Sequence, residues 1–432
     1  MEAERFDAVV VGAGPAGVAA ALTMARAGLE VVVIERGSFA GSKNLMGGIL
    51  YHQPTEDIVP GFADSAPLER PIFEQRYMLL TEDAHIGLSY RTQQFARQPH
   101  NAYSVLRADW DQWFAGQAEE AGAFIIPEMV VRDLLWARGK VDGVSTGMPD
   151  GDVHADVVIL CDGANSLLAQ KAGLHREWQP NEQALVAKEL IQLDEVTIDE
   201  RFNLHDGLGV AMEIFGASTA YLLGYGFIYT NKSSLSIGTG ALLSGLIESG
   251  LNVSDVLNRF KAHPSIAPLI AGGKTVEYAA KLIPERGWQA MPTLYADGLL
   301  VAGDAAMFSN PLNREGSNLA MISGTLAGRT VARAKERGDF SAATLSYYQE
   351  LLEDSVVFKD LHKIRYVTDF AHARPYLLDE IPDVVSRALR TYLTVDGVPK
   401  KDKQTSILRS VRASLPLGRT LRDMAAAKKA FG

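Results

Sequence analysis

Residues 12–17 read GAGPAG, and they follow the apolar run Ala8–Val11 and open an alanine-rich stretch that reaches about Ala27. A second apolar run, Val31–Ile34, ends in Glu35. Each residue type has a chemical use at this spacing. Gly12 allows a tight turn, Gly14 lets a pyrophosphate approach the backbone, and Gly17 lets helix and strand pack closely. Pro15 and Ala16 stand at the start of the helix, where free N–H groups and the helix dipole hold phosphate. Glu35, 18 residues after Gly17, is placed to accept a ribose hydroxyl. Strand, turn, helix, second strand and terminal acid together predict a dinucleotide-binding unit.

The other candidate for chemistry is the only cysteine, Cys161, inside VVILCDGAN (157–165). One cysteine forms no disulfide framework, and no Cys-ligated zinc or iron–sulfur site within this chain. A redox cysteine would need a second one nearby, so Cys161 reads as a small buried hydrophobe. His205, His263, His362 and His372 lack metal-site spacing. No Ser-His-Asp set, paired-acid motif or P-loop is visible, and no residue is assigned a covalent or acid–base role.

The elements that position these groups follow from two further segments. VVIL runs into Asp162-Gly163, and GLLVA runs into Gly303-Asp304, a loop and a helix of small residues. An NAD enzyme would show one fingerprint followed by a catalytic domain. With GAGPAG, DG and GD in this order, the chain resembles the glutathione-reductase-type FAD-binding superfamily. That resemblance implies that Asp304 holds the ribityl chain, and that the following helix aims its N-terminus at the pyrimidine end of the flavin. The plainer alternative for Asp304 is a turn cap. The predicted fold is α/β: a glutathione-reductase-type FAD-binding Rossmann-like domain (1–70, 101–172 and 285–335), an inserted β-sheet domain (71–100 and 173–284) and a helical C-terminal region (336–432). Residues 220–243 alternate around Asn231-Lys232-Ser233-Ser234 like a hairpin, and VSDVLNRFKAHPSI reads as an amphipathic helix stopped by Pro264. Tyr221, Tyr225, Phe227 and Tyr229 read as cross-strand packing.

Composition narrows the partners. With 432 residues, 47% hydrophobic and 22% charged, the chain is ordinary for a soluble globular protein. Its formal charge of −10 argues against general nucleic-acid binding. Residues 400–432 carry nine Lys or Arg against Asp402 and Asp423, a local +7 that leaves −17 elsewhere. This basic end, with Lys400, Lys401, Lys403, Arg409, Arg412, Arg419 and Arg422, is predicted to dock on an acidic redox partner or an anionic membrane; the alternative is a solvated tail. The uncharged stretch Ala8–Ala25 is broken by glycines and Pro15, and MEAERFD lacks the basic region of a secretory signal. The chain reads as cytoplasmic, with peripheral contact on the inner face of the cytoplasmic membrane left open.

Four blocks narrow the family: AGSKNLMGGILYHQPTEDIVPGFADSAPLERPIFEQR (40–76), SVLRADWDQWFAGQAEEAGA (104–123), EYAAKLIPERG (277–287) and LTVDGVPK (393–400). They resemble blocks of the FixC proteins, short relatives of electron transfer flavoprotein:quinone oxidoreductase, and more distantly the geranylgeranyl reductases. The resemblance implies an FAD subunit that takes electrons from an electron transfer flavoprotein pair (FixA/FixB-like) and passes them to quinone. It also implies a ferredoxin-like FixX-type subunit and membership of a nitrogen-fixation complex capable of electron bifurcation. It places Arg36, Lys43, Asn44, Gly48, Arg107, Val131, Asp162, Gly163, Gly316 and Asn318 at the FAD beside the residues named above. The long enzymes carry a C-terminal 4Fe–4S domain with four cysteines; here any cluster must sit on another protein. Where they carry a Lys-Gly-Thr-His-like turn, this chain has Arg314-Glu315-Gly316-Ser317-Asn318. Gly316 is kept, while Glu315 and Asn318 alter charge and hydrogen bonding near the ring. Two other readings remain open: an NAD(P)H-dependent flavin monooxygenase or prenyl reductase, and a non-catalytic flavoprotein scaffold.

Overall fold

The computed structural model describes residues 5–43, 48–415 and 417–431. The chain forms two units, each assembled from separate stretches. The first takes Met1–Pro71, Arg97–Gln183 and Lys281–His362; the second takes Ile72–Ala96, Ala184–Ala280 and Lys363–Gly432.

The first unit is built on parallel strands β1 (Arg5–Val11), β2 (Val31–Ile34), β3 (Phe124–Ile126), β4 (Asp152–Leu160) and β5 (Leu299–Val301), in the order β5-β4-β1-β2-β3. Their inner residues are continuous apolar runs because such a sheet is covered on both faces. β2 has the bounds that its apolar run predicts. β1 starts three residues earlier than its apolar run: Arg5 and Phe6 pair with His154 and Ala155, and the Arg5 guanidinium is held by Asp142 and Asp156.

Two helices of small residues, α1 (Pro15–Arg26) and α2 (Ser317–Arg337), lie backbone to backbone. A Cβ on Gly324 would fall 2.0 Å from the Ala16 carbonyl oxygen, and one on Gly328 would fall 2.8 Å from that of Ala20. The helix Tyr347–Asp354 packs on α2 in the same unit. The antiparallel strands Asp133–Ala137 and Lys140–Ser145 extend the sheet from the start of β4.

The second unit is a sheet. Its hairpin joins Gly224–Thr230 to Ser234–Leu242. Asn231 fixes the turn: its N–H donates to the Ser234 carbonyl, and its side-chain amide donates to the hydroxyls of Ser234 and Ser236. One face packs Ile214, Ile228 and Ile237 with Leu257 and Phe260 of the helix Val253–Ala262, which ends just before His263-Pro264. On the hairpin, Phe227 stacks on Tyr229 at 4.9 Å and contacts Tyr225 at 6.5 Å. Tyr221 lies off the strand at a φ of 64°, with its hydroxyl on Glu82.

Three helices close the chain: α3 (Glu380–Leu393), α4 (Lys400–Ser414) and α5 (Leu417–Phe431). They change the picture of the basic end, because several of its cations are engaged inside the unit. Lys403 is buried and reaches the Thr394 carbonyl and Asp396. Lys400 donates to the Tyr392 carbonyl and lies over its ring. Arg419 pairs with Glu380 and stacks on Tyr376. No helix among the described residues is long and apolar enough to cross a membrane.

Candidate functional site

The turn after β1 is shaped by close backbone approach. Gly12 has a φ of +100°, and a Cβ there would lie 2.5 Å from the Cys161 carbonyl oxygen. A Cβ on Gly17 would lie 1.9 Å from the Gly12 oxygen. Gly14 differs: it heads α1 with Pro15 at the first helical position, and a Cβ on it would meet nothing within 4 Å. No side chain caps α1, and no acid sits in its first turn. The N-terminal end of the helix is therefore open where the sequence predicts that pyrophosphate approaches.

Glu35 does more than the sequence predicts. Its Oε2 accepts the Ala13 N–H at 2.8 Å, and its Oε1 accepts the Gly37 N–H at 2.6 Å. It thus braces the glycine turn, and each oxygen keeps a second lone pair for a ribose hydroxyl. Arg36 and Lys43 are exposed. Asn44 lies outside the described residues. Val131 is half-buried in a segment that returns along this corner, where Met129 and Glu128 donate N–H groups to the Glu35 and Gly37 carbonyls.

Arg107 begins the helix Arg107–Glu120 beside Gly48. Its guanidinium forks onto Asp111 at 2.8 and 3.0 Å and donates to the Ser317 hydroxyl at 3.1 Å. It therefore ties this helix to the start of α2. Gly316 precedes α2 with no side-chain cap, so this second helix N-terminus is open too. Asn318 donates to Glu315 Oε1 at 3.0 Å, and Asn310 donates to Oε2 at the same distance. Burial raises the Glu315 pKa, and Asp360 adds to that, although the asparagine amides oppose it. The two residues flagged as departures are thus partners of one another.

Asp304 follows Gly303, whose φ is +67° and whose N–H donates to the Ser323 hydroxyl. Among the described residues no side-chain hydrogen bond engages its carboxylate, which faces the charges of Arg107 and Lys281. Sequence reasoning missed Lys281. Burial pushes its pKa down, with Asp304 opposing. The available signal was a single lysine inside the apolar run YAAKLIP. Glu285, four residues on, is raised by burial to about 8.

Asp162 closes the group. Its Oδ2 accepts the Leu168 N–H at 3.4 Å, while Oδ1 is shut off from solvent without a partner. Burial raises it to about 6 against the opposing hydrogen bonds and the charges of His175 and Arg36. Gly163, at a φ of +81°, makes the following turn. Cys161 is buried, and burial next to Asp162 pushes its thiol far above the usual range, which leaves it inert as a nucleophile.

The opening at Gly14, two uncapped helix N-termini and the disengaged Asp304 carboxylate, all in the first unit, fit an extended flavin dinucleotide. A bound flavin supplies electron-pair acceptance and stepwise release; the protein supplies position and electrostatics.

Comparison with known proteins shows the family. Residues 7–208 match the family described as FAD dependent oxidoreductase, and residues 367–432 match the ETF-QO/FixC family C-terminal domain. Protein FixC of Azotobacter vinelandii is 47% identical over 410 residues, covering 94% of this chain and 95% of that protein. Protein FixC of Bradyrhizobium diazoefficiens is 44% identical over 411 residues, covering 94% of each. "Probable electron transfer flavoprotein-quinone oxidoreductase YdiS" of Escherichia coli is 41% identical over 410 residues, covering 94% and 95%. In fold, the chain is similar to a geranylgeranyl bacteriochlorophyll reductase-like protein from Thermoplasma acidophilum, with a TM-score of 0.72, 22% identity, and 96% and 97% of the two chains covered. With a Rossmann-like FAD fold and this identity along nearly its whole length, the chain is an FAD-dependent oxidoreductase that belongs to the FixC and electron transfer flavoprotein–quinone oxidoreductase family.

Proposed function

We propose that this protein takes electrons from an electron transfer flavoprotein pair and passes them through its FAD to quinone, within an assembly that includes a ferredoxin-like subunit. The observation that carries the reading is the 41% identity, over 94% of this chain, to a protein named as a probable electron transfer flavoprotein-quinone oxidoreductase. In this reading Gly12, Gly14, Pro15, Ala16 and Gly17 receive the pyrophosphate and Glu35 the adenosine ribose. Asp304 holds the ribityl chain, and the Gly316 end of α2 faces the pyrimidine ring. Arg107 fixes α2 through Ser317, and Lys281 balances the charge of Asp304. Contact with a membrane is peripheral and brings the protein to its acceptor.

Stopped-flow absorbance of the FAD-loaded protein tests the reading. Flavin bleaching should require both NADH and the flavoprotein pair, and a short-chain quinone should restore the colour. Bleaching by NADH alone supports a reductase or monooxygenase instead, and no bleaching with either supports a scaffold subunit.

A further inference from the structure

The loop that joins Asp304 to α2 is held in a strained shape. Met307 and Arg314 both take left-handed backbone, at φ values of 63° and 58°, which residues other than glycine rarely adopt. Between them the Asn310 N–H donates to the Glu315 carbonyl at 2.8 Å, and the Glu315 N–H donates to the Asn310 carbonyl at 3.1 Å. From the strand Gly48–Tyr51, the Tyr51 hydroxyl donates to the Asn313 carbonyl at 2.7 Å. This shape fixes the side chain of Glu315, one residue before Gly316 and the open end of α2.

The Glu315 carboxylate is half-buried, and its partners are neutral. Asn318 and Asn310, both buried, each donate an amide N–H to one of its oxygens at 3.0 Å. No cation pairs with it among the described residues. Glu74 shows what cations do: with Arg76 and Arg91 on it, that acid falls to about 2. Glu315 moves the other way, raised by burial and by the charge of Asp360 on the helix Val356–Ile364, against the pull of the asparagines. Arg314 adjoins it in the chain, Arg107 reaches this end of α2 through Ser317, and His52 heads a short helix that packs on α2. Each Glu315 oxygen that accepts an amide keeps a second lone pair, so a proton can bind without breaking either amide bond.

We propose that Glu315 takes up a proton as two electrons enter the flavin and gives it back as they leave. The inference rests on the reading above that sets the pyrimidine ring at the Gly316 end of α2. Two electrons that arrive with one proton leave the bound cofactor one charge more negative. That charge and the Glu315 carboxylate then crowd one helix end, which carries only a partial positive charge, so the carboxylate binds a proton from water. When a quinone accepts the two electrons it also needs two protons. One comes from the cofactor and one from Glu315, which restores the carboxylate.

An equilibrium redox titration of the FAD-loaded protein with mediator dyes, repeated from about pH 5.5 to about pH 9, reads the proton count from the slope of potential against pH. The unmodified protein should take up two protons per two electrons in the middle of that range and one at its alkaline end. Glu315→Gln should take up one throughout, with a potential that meets that of the unmodified protein toward acid pH and exceeds it toward alkaline pH. Glu315→Asp should keep the two-proton region, and Asp360→Asn should move it to lower pH. Equal slopes in the unmodified and Gln proteins would overturn the proposal, even with a constant offset between them, because Glu315 would then be a fixed charge. Proton uptake reported by an indicator dye during photoreduction of the unmodified protein gives the same count without a variant, and one proton per flavin at every pH would overturn the proposal too. Neither measurement contains a donor protein or a quinone, so the proposed acceptor can be wrong without affecting them. Asp304→Ala tells apart a misplaced flavin: unchanged FAD affinity there sinks the reading of the site, whereas weakened affinity with equal slopes sinks only the role of Glu315.

Discussion

Glu35 Oε2 accepts the Ala13 N–H at 2.8 Å, so the acid that ends β2 holds the turn that ends β1. Bonds of this kind to a charged acceptor contribute about 1.5–3 kcal/mol each. Glu35→Ala should lower FAD affinity about tenfold or more and also lower the apoprotein's melting temperature. Fluorescence titration and thermal unfolding read the two effects; loss of affinity alone would mean that the brace contributes nothing to the fold.

Two glycines separate packing from binding. Gly324→Ala drives a methyl into the Ala16 carbonyl at 2.0 Å and should destabilise the protein by about 1–3 kcal/mol or more. Gly14→Ala meets nothing, has an ordinary φ of −79°, and should leave urea unfolding unchanged or slightly shifted upward while FAD binding weakens.

Asp304→Ala should weaken FAD binding by about 1.5–3 kcal/mol through loss of a charged hydrogen bond. Because that carboxylate makes no side-chain hydrogen bond but offsets the buried charges of Lys281 and Arg107, apoprotein unfolding should shift toward lower stability by less than FAD binding weakens. An unchanged dissociation constant would show that Asp304 only shapes its turn.

Acid should unfold the second unit partly through Glu74. Burial alone would raise this acid, but hydrogen bonds from Arg76, Ser89 and Arg91 win and lower it to about 2. A depressed folded pKa means that the stabilisation is complete above about 4.5 and is lost as pH falls toward about 2, up to roughly 3 kcal/mol. Glu74→Gln should abolish that part of the acid dependence; equal slopes in the two proteins would argue against it.

Asp162 has the opposite sign. Raised to about 6 by burial, it favours the fold while protonated, and that contribution fades as pH rises through about 6. Asp162→Asn apoprotein should therefore be more stable than the unmodified apoprotein at about pH 8 and equal to it near pH 4, as read by urea unfolding.

The parts legible in the sequence are those set by neighbours along the chain. The glycine spacing, the apolar run Val31–Ile34 and the turn at Asn231 each fix a local conformation, and the structure has β2 and the hairpin where those patterns put them. The rest depends on distant residues. Arg5 joins β1 because Asp142 and Asp156 meet it from more than 130 positions away. Lys281 joins this cluster through its own burial and the charges of Asp304 and Arg107 that act on it. Lys403 sits among charges that read as solvated, yet the carbonyl of Thr394 draws it inside. In each case the deciding group is supplied by the fold, so no window of sequence contains it.

The interleaved order of the first unit has a consequence for synthesis. β4 is complete when Leu160 is made, but β5, which covers its far edge through Val158–Leu299 and Leu160–Val301, is not made until residues 299–301. At about 5–20 residues per second the intervening chain takes roughly 7–30 s to emerge, and over that time an apolar strand edge has no covering neighbour. The growing chain therefore carries a sticky half-sheet on the ribosome, and chaperone occupancy should begin after Leu160 and end once β5 is added.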